Sequence, residues 1–228
     1  MLAIGDNTRV RFRQRRLWPG LGALLGSMLL SGCGLPGLAR DAAPPRTYLL
    51  EWAATDAIPA VRPVAPALAV APLHTAAGFD STRMLYVEQP YRLDAYAQHR
   101  WADTPARMLE PLLVDALETS GLFAQVVAPG SRVRTGLRLD GEVLRLQRRF
   151  DAGSSAVELA MRFSLIDTTR SVLLATDVIR VREPAPQPDP YGGVLAANRA
   201  VNSLFAELRR FLARELATYP GADSIPPP

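Results

Sequence analysis

From residue 157 to 165 every second side chain is apolar: Val157, Leu159, Met161, Phe163 and Leu165 alternate with Glu158, Arg162 and Ser164. A period of two puts neighbouring side chains on opposite faces of an extended chain, so this stretch predicts a strand with one buried and one wet face. Upstream, Leu137, Leu139 and Val143 keep one phase, and Leu144 and Leu146 take the other. A slip of that kind predicts a β-bulge near residues 141–143. Downstream, Val172–Val181 predicts a third strand, and the turn-forming runs 151–154 and 167–170 join the three as an antiparallel meander. A sheet with one apolar face needs a second layer to cover it.

Two amphipathic segments can supply that layer. Asp103 or Thr104 can cap a helix with Pro105 in its first turn and Gly121 beyond its end, and Met108, Leu109, Leu112, Leu113, Ala116 and Leu117 share one face. A second helix is predicted from about Gly193 to Ala217, with Val201, Leu204, Phe205, Leu208, Phe211, Leu212 and Leu216 as its apolar stripe. Further strands are predicted at Tyr48–Trp52, Leu68–Leu73, Met84–Val87, Tyr91–Asp94 and Leu122–Val127. Residues 54–66 form a proline-bearing loop and residues 183–190 a stiff proline-rich connector. The expected architecture is a single α/β domain, residues 47–219, with a mixed β-sheet, an antiparallel meander and two main helices packed on it. Residues 220–228 are expected to be a disordered tail.

The N-terminus has a different character. Arg9, Arg11, Arg13, Arg15 and Arg16 precede an apolar run from Leu17 to Leu30, and Leu30-Ser31-Gly32-Cys33 closes it. A basic region, a short apolar core and small residues before a cut describe an export signal. The core, at about 14 residues, is shorter than the ~20 a permanent membrane helix needs. Residues 1–32 are therefore expected to be a signal peptide. Cys33 is then the new N-terminus and the site of lipidation, and residues 33–46 are a tether. Cys33 is the one cysteine of the chain, so no intramolecular disulfide exists and acylation would remove a free thiol from an oxidising compartment. Cleavage also changes the charge. The full chain carries 26 basic and 22 acidic residues; without the leader the two are equal, which removes the basic excess a nucleic-acid partner would require.

Motifs for chemistry are sparse. Two histidines, His74 and His99, sit far from any second ligand pattern, and the sequence has no C-x-x-C, nucleophile elbow or glycine-rich phosphate loop. No catalytic residue, metal or cofactor is expected, apart from the covalent lipid on Cys33. A lipid-anchored hydrolase built from dispersed Ser, His and Asp is one alternative, and a structural envelope-assembly scaffold is another.

The segment Tyr91-Arg-Leu-Asp-Ala-Tyr-Ala-Gln-His-Arg-Trp-Ala-Asp-Thr-Pro105, followed by an amphipathic helix, resembles the signature of ABC-type transport auxiliary lipoproteins, the group that includes the paraquat-inducible protein C lipoproteins. Tyr48-Leu49-Leu50 matches the family's opening strand and Leu165-Ile166-Asp167 its meander turn. The resemblance runs over about residues 46–217. It implies a non-enzymatic, periplasm-facing subunit of a lipid transporter made of an ATPase, a permease and an MCE-domain protein, with an oligomeric form possible. Gly34, where inner-membrane lipoproteins commonly carry aspartate, implies the outer membrane. Tyr91, Tyr96, His99, Arg100 and Trp101 are the expected partner contact, because exposed aromatics beside arginine suit an interface. For Trp101 the competing expectation is packing beneath the helix that begins at Pro105.

Overall fold

In chain order the elements are β1 (Arg46–Tyr48), β2 (Ala65–Val70), β3 (His74–Thr75), β4 (Arg83–Val87), β5 (Asp94–Trp101), α1 (Pro105–Thr119), β6 (Phe123–Val127), β7 (Leu137–Asp151), β8 (Ser154–Asp167), β9 (Val172–Pro184) and α2 (Pro190–Leu216). The computed structural model describes residues 44–53 and 63–219. The leader, Cys33, Gly34, the tether through residue 43, most of the 54–66 loop and the 220–228 tail lie outside them.

The predicted meander forms on β7. This strand pairs antiparallel with β8 over its whole length, from Leu137 opposite Asp167 to Asp151 opposite Ser154, and β8 passes the pairing on to β9. Along its other edge β7 takes three short partners in parallel: β2 at Leu68–Leu137, β3 at His74–Glu142 and β4 at Tyr86–Arg148. β6 then pairs with β2, β5 with β4, and β1 with β5, completing one mixed nine-stranded sheet. The bulge lies at Leu144, just past the predicted position: Val143 faces Met161, and Arg145 faces Ala160. One extra residue returns the apolar phase to the same face, and Leu137, Leu139, Val143 and Leu146 are all buried. Gly141 sits opposite Phe163, where a Cβ would run into the Leu73 side chain.

Both helices cover one face of the sheet, α2 over β8 and β9, α1 over β6 and β7, and the two touch. Phe163, Leu159, Met161 and Leu165 from β8 meet Leu204, Leu208 and Leu212 from α2 and Leu109 and Leu113 from α1 in one fully buried cluster. The opposite face of the sheet is polar. Arg162 pairs with Glu142, Arg138 Nε donates to Asp140 at 2.7 Å, and Gln147 Nε2 donates to Glu158 at 3.1 Å.

Three boundaries differ from expectation. β1 ends at Tyr48, because the next backbone donors leave the sheet for α2: Glu51 N–H donates to Asn198 Oδ1 at 2.5 Å and Ala53 N–H to Asn202 Oδ1 at 3.3 Å. Tyr91–Leu93 is a turn rather than a strand, and the extended chain runs from Asp94 to Trp101. α2 starts three residues before Gly193, since Asp189 accepts from Gly192 N–H at 2.7 Å and Pro190 fills the first position, which needs no donor. In α1, Thr104 is the N-cap residue without a side-chain cap bond; Asp103 Oδ1 accepts from Thr104 N–H at 2.7 Å instead.

The β8–β9 turn is tied by Asp167, which is buried and accepts from Thr169 N–H and Arg170 N–H, both at 2.9 Å, and from the Tyr219 hydroxyl at 3.3 Å. Those donors, the Arg170 N–H foremost, hold its carboxyl below the ordinary value of 3.8 despite burial. The charged form is thus favoured by folding, and the stability it brings is present above the unfolded pKa and lost as pH falls through the folded one. Asp167→Asn should be less stable than wild type in urea melts at pH 7, with the gap closing below about pH 4. A gap unchanged between pH 7 and pH 2 would contradict this origin. The core makes a second expectation. Phe163→Ala should cost about 3–5 kcal/mol, whereas Arg162→Ala, on the wet face, should cost under about 1 kcal/mol; equal losses in the same melts would overturn the strand's assigned phase.

Candidate functional site

Between Arg83–Arg100 and Leu85–Ala95 the pairing of β4 and β5 advances two residues on β4 and five on β5. In a regular strand Tyr96 and His99, three residues apart, would face opposite sides. The irregularity between them brings their rings edge to face at 6.0 Å. From there an aromatic ribbon extends both ways. His99 stacks on Tyr48 at 5.7 Å and 5°, sharing a 3.0 Å hydrogen bond between its Nδ1 and the Tyr48 hydroxyl, and Tyr48 leans on Tyr191 of α2 at 6.2 Å. On the other side Tyr96 meets Tyr86 at 4.6 Å, and Tyr86 meets Phe150 edge to face at 6.0 Å. Tyr191 is half exposed and is the ribbon's open end.

The inner end is held by Arg148. Its guanidinium is buried and lies 4.5 Å from the centre of the Phe150 ring. Nε and Nη2 donate to Ser155 Oγ at 3.0 and 2.7 Å, Nη2 also to Gln187 O at 3.0 Å, and Nη1 to Asp189 O at 2.5 Å and the Tyr96 hydroxyl at 3.4 Å. The four acceptors are neutral, and the five bonds they receive equal the fork's five N–H groups. Gly192 lets the connector approach, since a Cβ there would meet the Gln187 backbone. Burial raises the Tyr96 phenol above its ordinary value, against the opposing charge of Arg148.

The five residues singled out by sequence therefore separate. Tyr96 and His99 belong to the ribbon. Arg100 is exposed on the other face, directly opposite Arg83, and neither arginine has a carboxylate partner among the described residues. Tyr91 stands free at the tip of the β4–β5 turn with φ +67°. Trp101 is a correction: it is buried in the core cluster, in register with Tyr48, and presents no ring to a partner. Sequence reasoning missed Arg148, Phe150 and Tyr191. A signal existed for the first: beyond the bulge, Arg148 shares the inward phase of Leu146, and an arginine at a core phase must find acceptors.

As chemistry, this is a rigid, polar-edged aromatic surface. His99 is bonded to a phenol rather than to a carboxylate or a serine. Among the described residues no cluster of His, Cys, Asp or Glu could hold a metal ion, and no helix is long and apolar enough to cross a membrane. A separate depression of about 690 Å³ lies at the far end of the sheet, where His74, Arg134, Arg138 and Asp140 line an open groove.

The profile of the family described as ABC-type transport auxiliary lipoprotein component matches residues 48–209. A solved structure of a DUF330 protein from Xanthomonas campestris superposes with a TM-score of 0.62 at 22% identity, covering 77% of this chain and 98% of that one. An uncharacterised protein of known structure superposes with a TM-score of 0.59 at 13% identity, covering 74% and 99%. At such identities these two show the fold. No curated protein sequence matches the chain.

Arg148→Met should destabilise the domain by about 1.5–3 kcal/mol, the range for hydrogen bonds to a charged group. It should also speed proteolysis at residues 185–189. Arg148→Lys should recover little, because an ammonium lacks the planar fork. Full stability in the lysine variant would show that charge alone suffices.

Proposed function

The chain belongs to the ABC-type transport auxiliary lipoprotein family, and on that premise we propose that it is the non-enzymatic, periplasm-facing lipoprotein subunit of an ABC transporter that moves lipid with a permease, an ATPase and an MCE-domain protein. In this reading Cys33 carries the acyl chains and Gly34 directs the protein to the outer membrane. The family is a class of transport components rather than of enzymes, in keeping with a site that offers a surface.

The observation that carries the reading is the β1–β5–β4 edge. Arg83 and Arg100 face each other across two strands without an acidic partner among the described residues. Like charges directly opposite in a sheet oppose folding, so the pair is an internal cost that an acidic surface on another protein can offset. On the other side of the same edge lie the half-exposed rings of Tyr48, His99 and Tyr191. Aromatic rings next to unpaired arginine are the residue types that concentrate binding energy at interfaces. β1 itself, three residues long, leaves the edge short.

The test is co-purification of the mature lipoprotein with the MCE component in mild detergent. Wild type should bind, and Arg100→Glu should weaken binding at least tenfold, about 1.4 kcal/mol, while leaving the fold as stable as before or slightly more so. Failure of folded wild type to bind would remove the direct-partner reading. Binding unchanged by Arg100→Glu would move the contact away from this edge.

A further inference from the structure

We propose that the β4–β5 turn, residues 88–93, rests on the phospholipid bilayer that anchors the chain, with Tyr91 and Leu93 in the headgroup layer. The inference depends on the lipoprotein reading above and adds to it a second, non-covalent contact that fixes how the domain stands on its membrane.

Tyr91 is the most exposed large apolar side chain of the described residues, 106% accessible, and Leu93 beside it is 41% accessible. The tyrosine has φ +67°, a backbone region that bulky side chains rarely adopt. Its ring makes no packing contact in the domain that could compensate, yet the turn is well fastened: Arg92 N–H donates to Gln89 O at 3.2 Å, and Arg92 Nε lies 2.8 Å from Asp94 Oδ2. A held, outward-pointing aromatic with an amphipathic ring matches the headgroup level of a bilayer, where Tyr and Trp concentrate.

The surroundings suit the same surface. Between the turn and the polar face of the sheet lies an open depression of about 450 Å³, lined in part by Phe79, Val87, Leu93, Arg145 and Arg149. Arg92, Arg145 and Arg149 are each more than two-fifths exposed and stand next to Asp94, Glu158 and Asp151. A rim with guanidinium and carboxylate groups side by side complements a zwitterionic headgroup, phosphate to arginine and ammonium to carboxylate.

The direction of the first strand favours the same end. β4 runs parallel to β7 up to the turn, β5 returns from it, and β1 lies parallel to β5 with Arg46 opposite His99. Traced backwards through Arg46, the described chain points toward the end of the sheet that carries Tyr91. The other exposed apolar residues of the meander, Val172 and Leu173, lie with Val133 at the opposite end, where β7 begins.

The experiment uses the mature lipoprotein reconstituted in phosphatidylethanolamine–phosphatidylcholine vesicles. Acylated Cys33 leaves no other thiol, so Leu93→Cys and Val133→Cys can each take a single environment-sensitive fluorophore. The label at 93 should be quenched at least about twofold more by shallow spin-labelled lipid than the label at 133, as expected for a segment buried about 5–10 Å into the interface. Adding Tyr91→Ser should reduce that quenching to about the level of the distal label, with flotation unchanged. Equal, aqueous behaviour of both labels on floating protein would overturn the proposal and leave the anchor intact. Protection of residue 93 only when the transporter partner is added would overturn it in favour of a protein contact. Protein that fails to float would remove the lipoprotein premise itself, and the proposal with it.

Discussion

Every strand of this sheet is placed, directly or at one or two removes, by hydrogen bonds to β7. One of its edges is committed to β8 along its full length, and the other is shared in succession by β2, β3 and β4. A strand used this way must keep one face buried over fifteen residues although a regular twist would drift. The single extra residue at Leu144 resolves the conflict, since it lets both halves present apolar side chains to the same helix layer. The second half of β7 then supplies Arg148 and Phe150 on the helix side, and Arg145, Gln147 and Arg149 on the wet side.

The buried guanidinium shows how the fold turns a loose connector into a platform. A cation taken out of water is tolerated only when its donors are met, and here neutral acceptors from β8, β5 and the proline-rich connector meet them. Because no N–H is left over, Arg148 is a fastening point rather than a receptor for an anion. The consequence is positional: the start of α2, Tyr191 and the rings behind it are held in one arrangement before any partner arrives. A surface organised in advance loses less side-chain entropy on association.

The parts of the fold carried by local periodicity were legible in the sequence. The β7–β8–β9 meander and α1 are where residue spacing puts them, and the bulge is within a residue or so of its predicted place, because in each case the apolar pattern repeats over many positions. β1 and β5 were misjudged because their limits are set from outside: α2 side chains draw the donors after Tyr48 away from the sheet, and a three-residue excess on β5 breaks its alternation. The same excess explains why the candidate contact residues scattered. Neighbours in sequence from Tyr91 to Trp101 came to occupy a turn tip, a ribbon, an outer face and the core, and no spacing rule foretells that division. The family signature runs through this segment without resolving which of its side chains look outward.

β2 lies between β6 and β7, parallel to both, and each of those partners is later in the chain by more than fifty residues. Any process that delivers this polypeptide from its N-terminus, synthesis or passage through a membrane pore, therefore presents Ala65–Val70 as an apolar segment with nothing to pair with. Long-range parallel pairing is slow to form and exposes sticky chain in the meantime. The meander, by contrast, closes through two short turns and can assemble as soon as it emerges. The β4–β5 pair is local as well, so β2 is the strand whose place in the sheet waits on the most distant partners. Ala65–Val70 has its first sheet partner only once Phe123 has emerged, and its second only once Leu137 has followed.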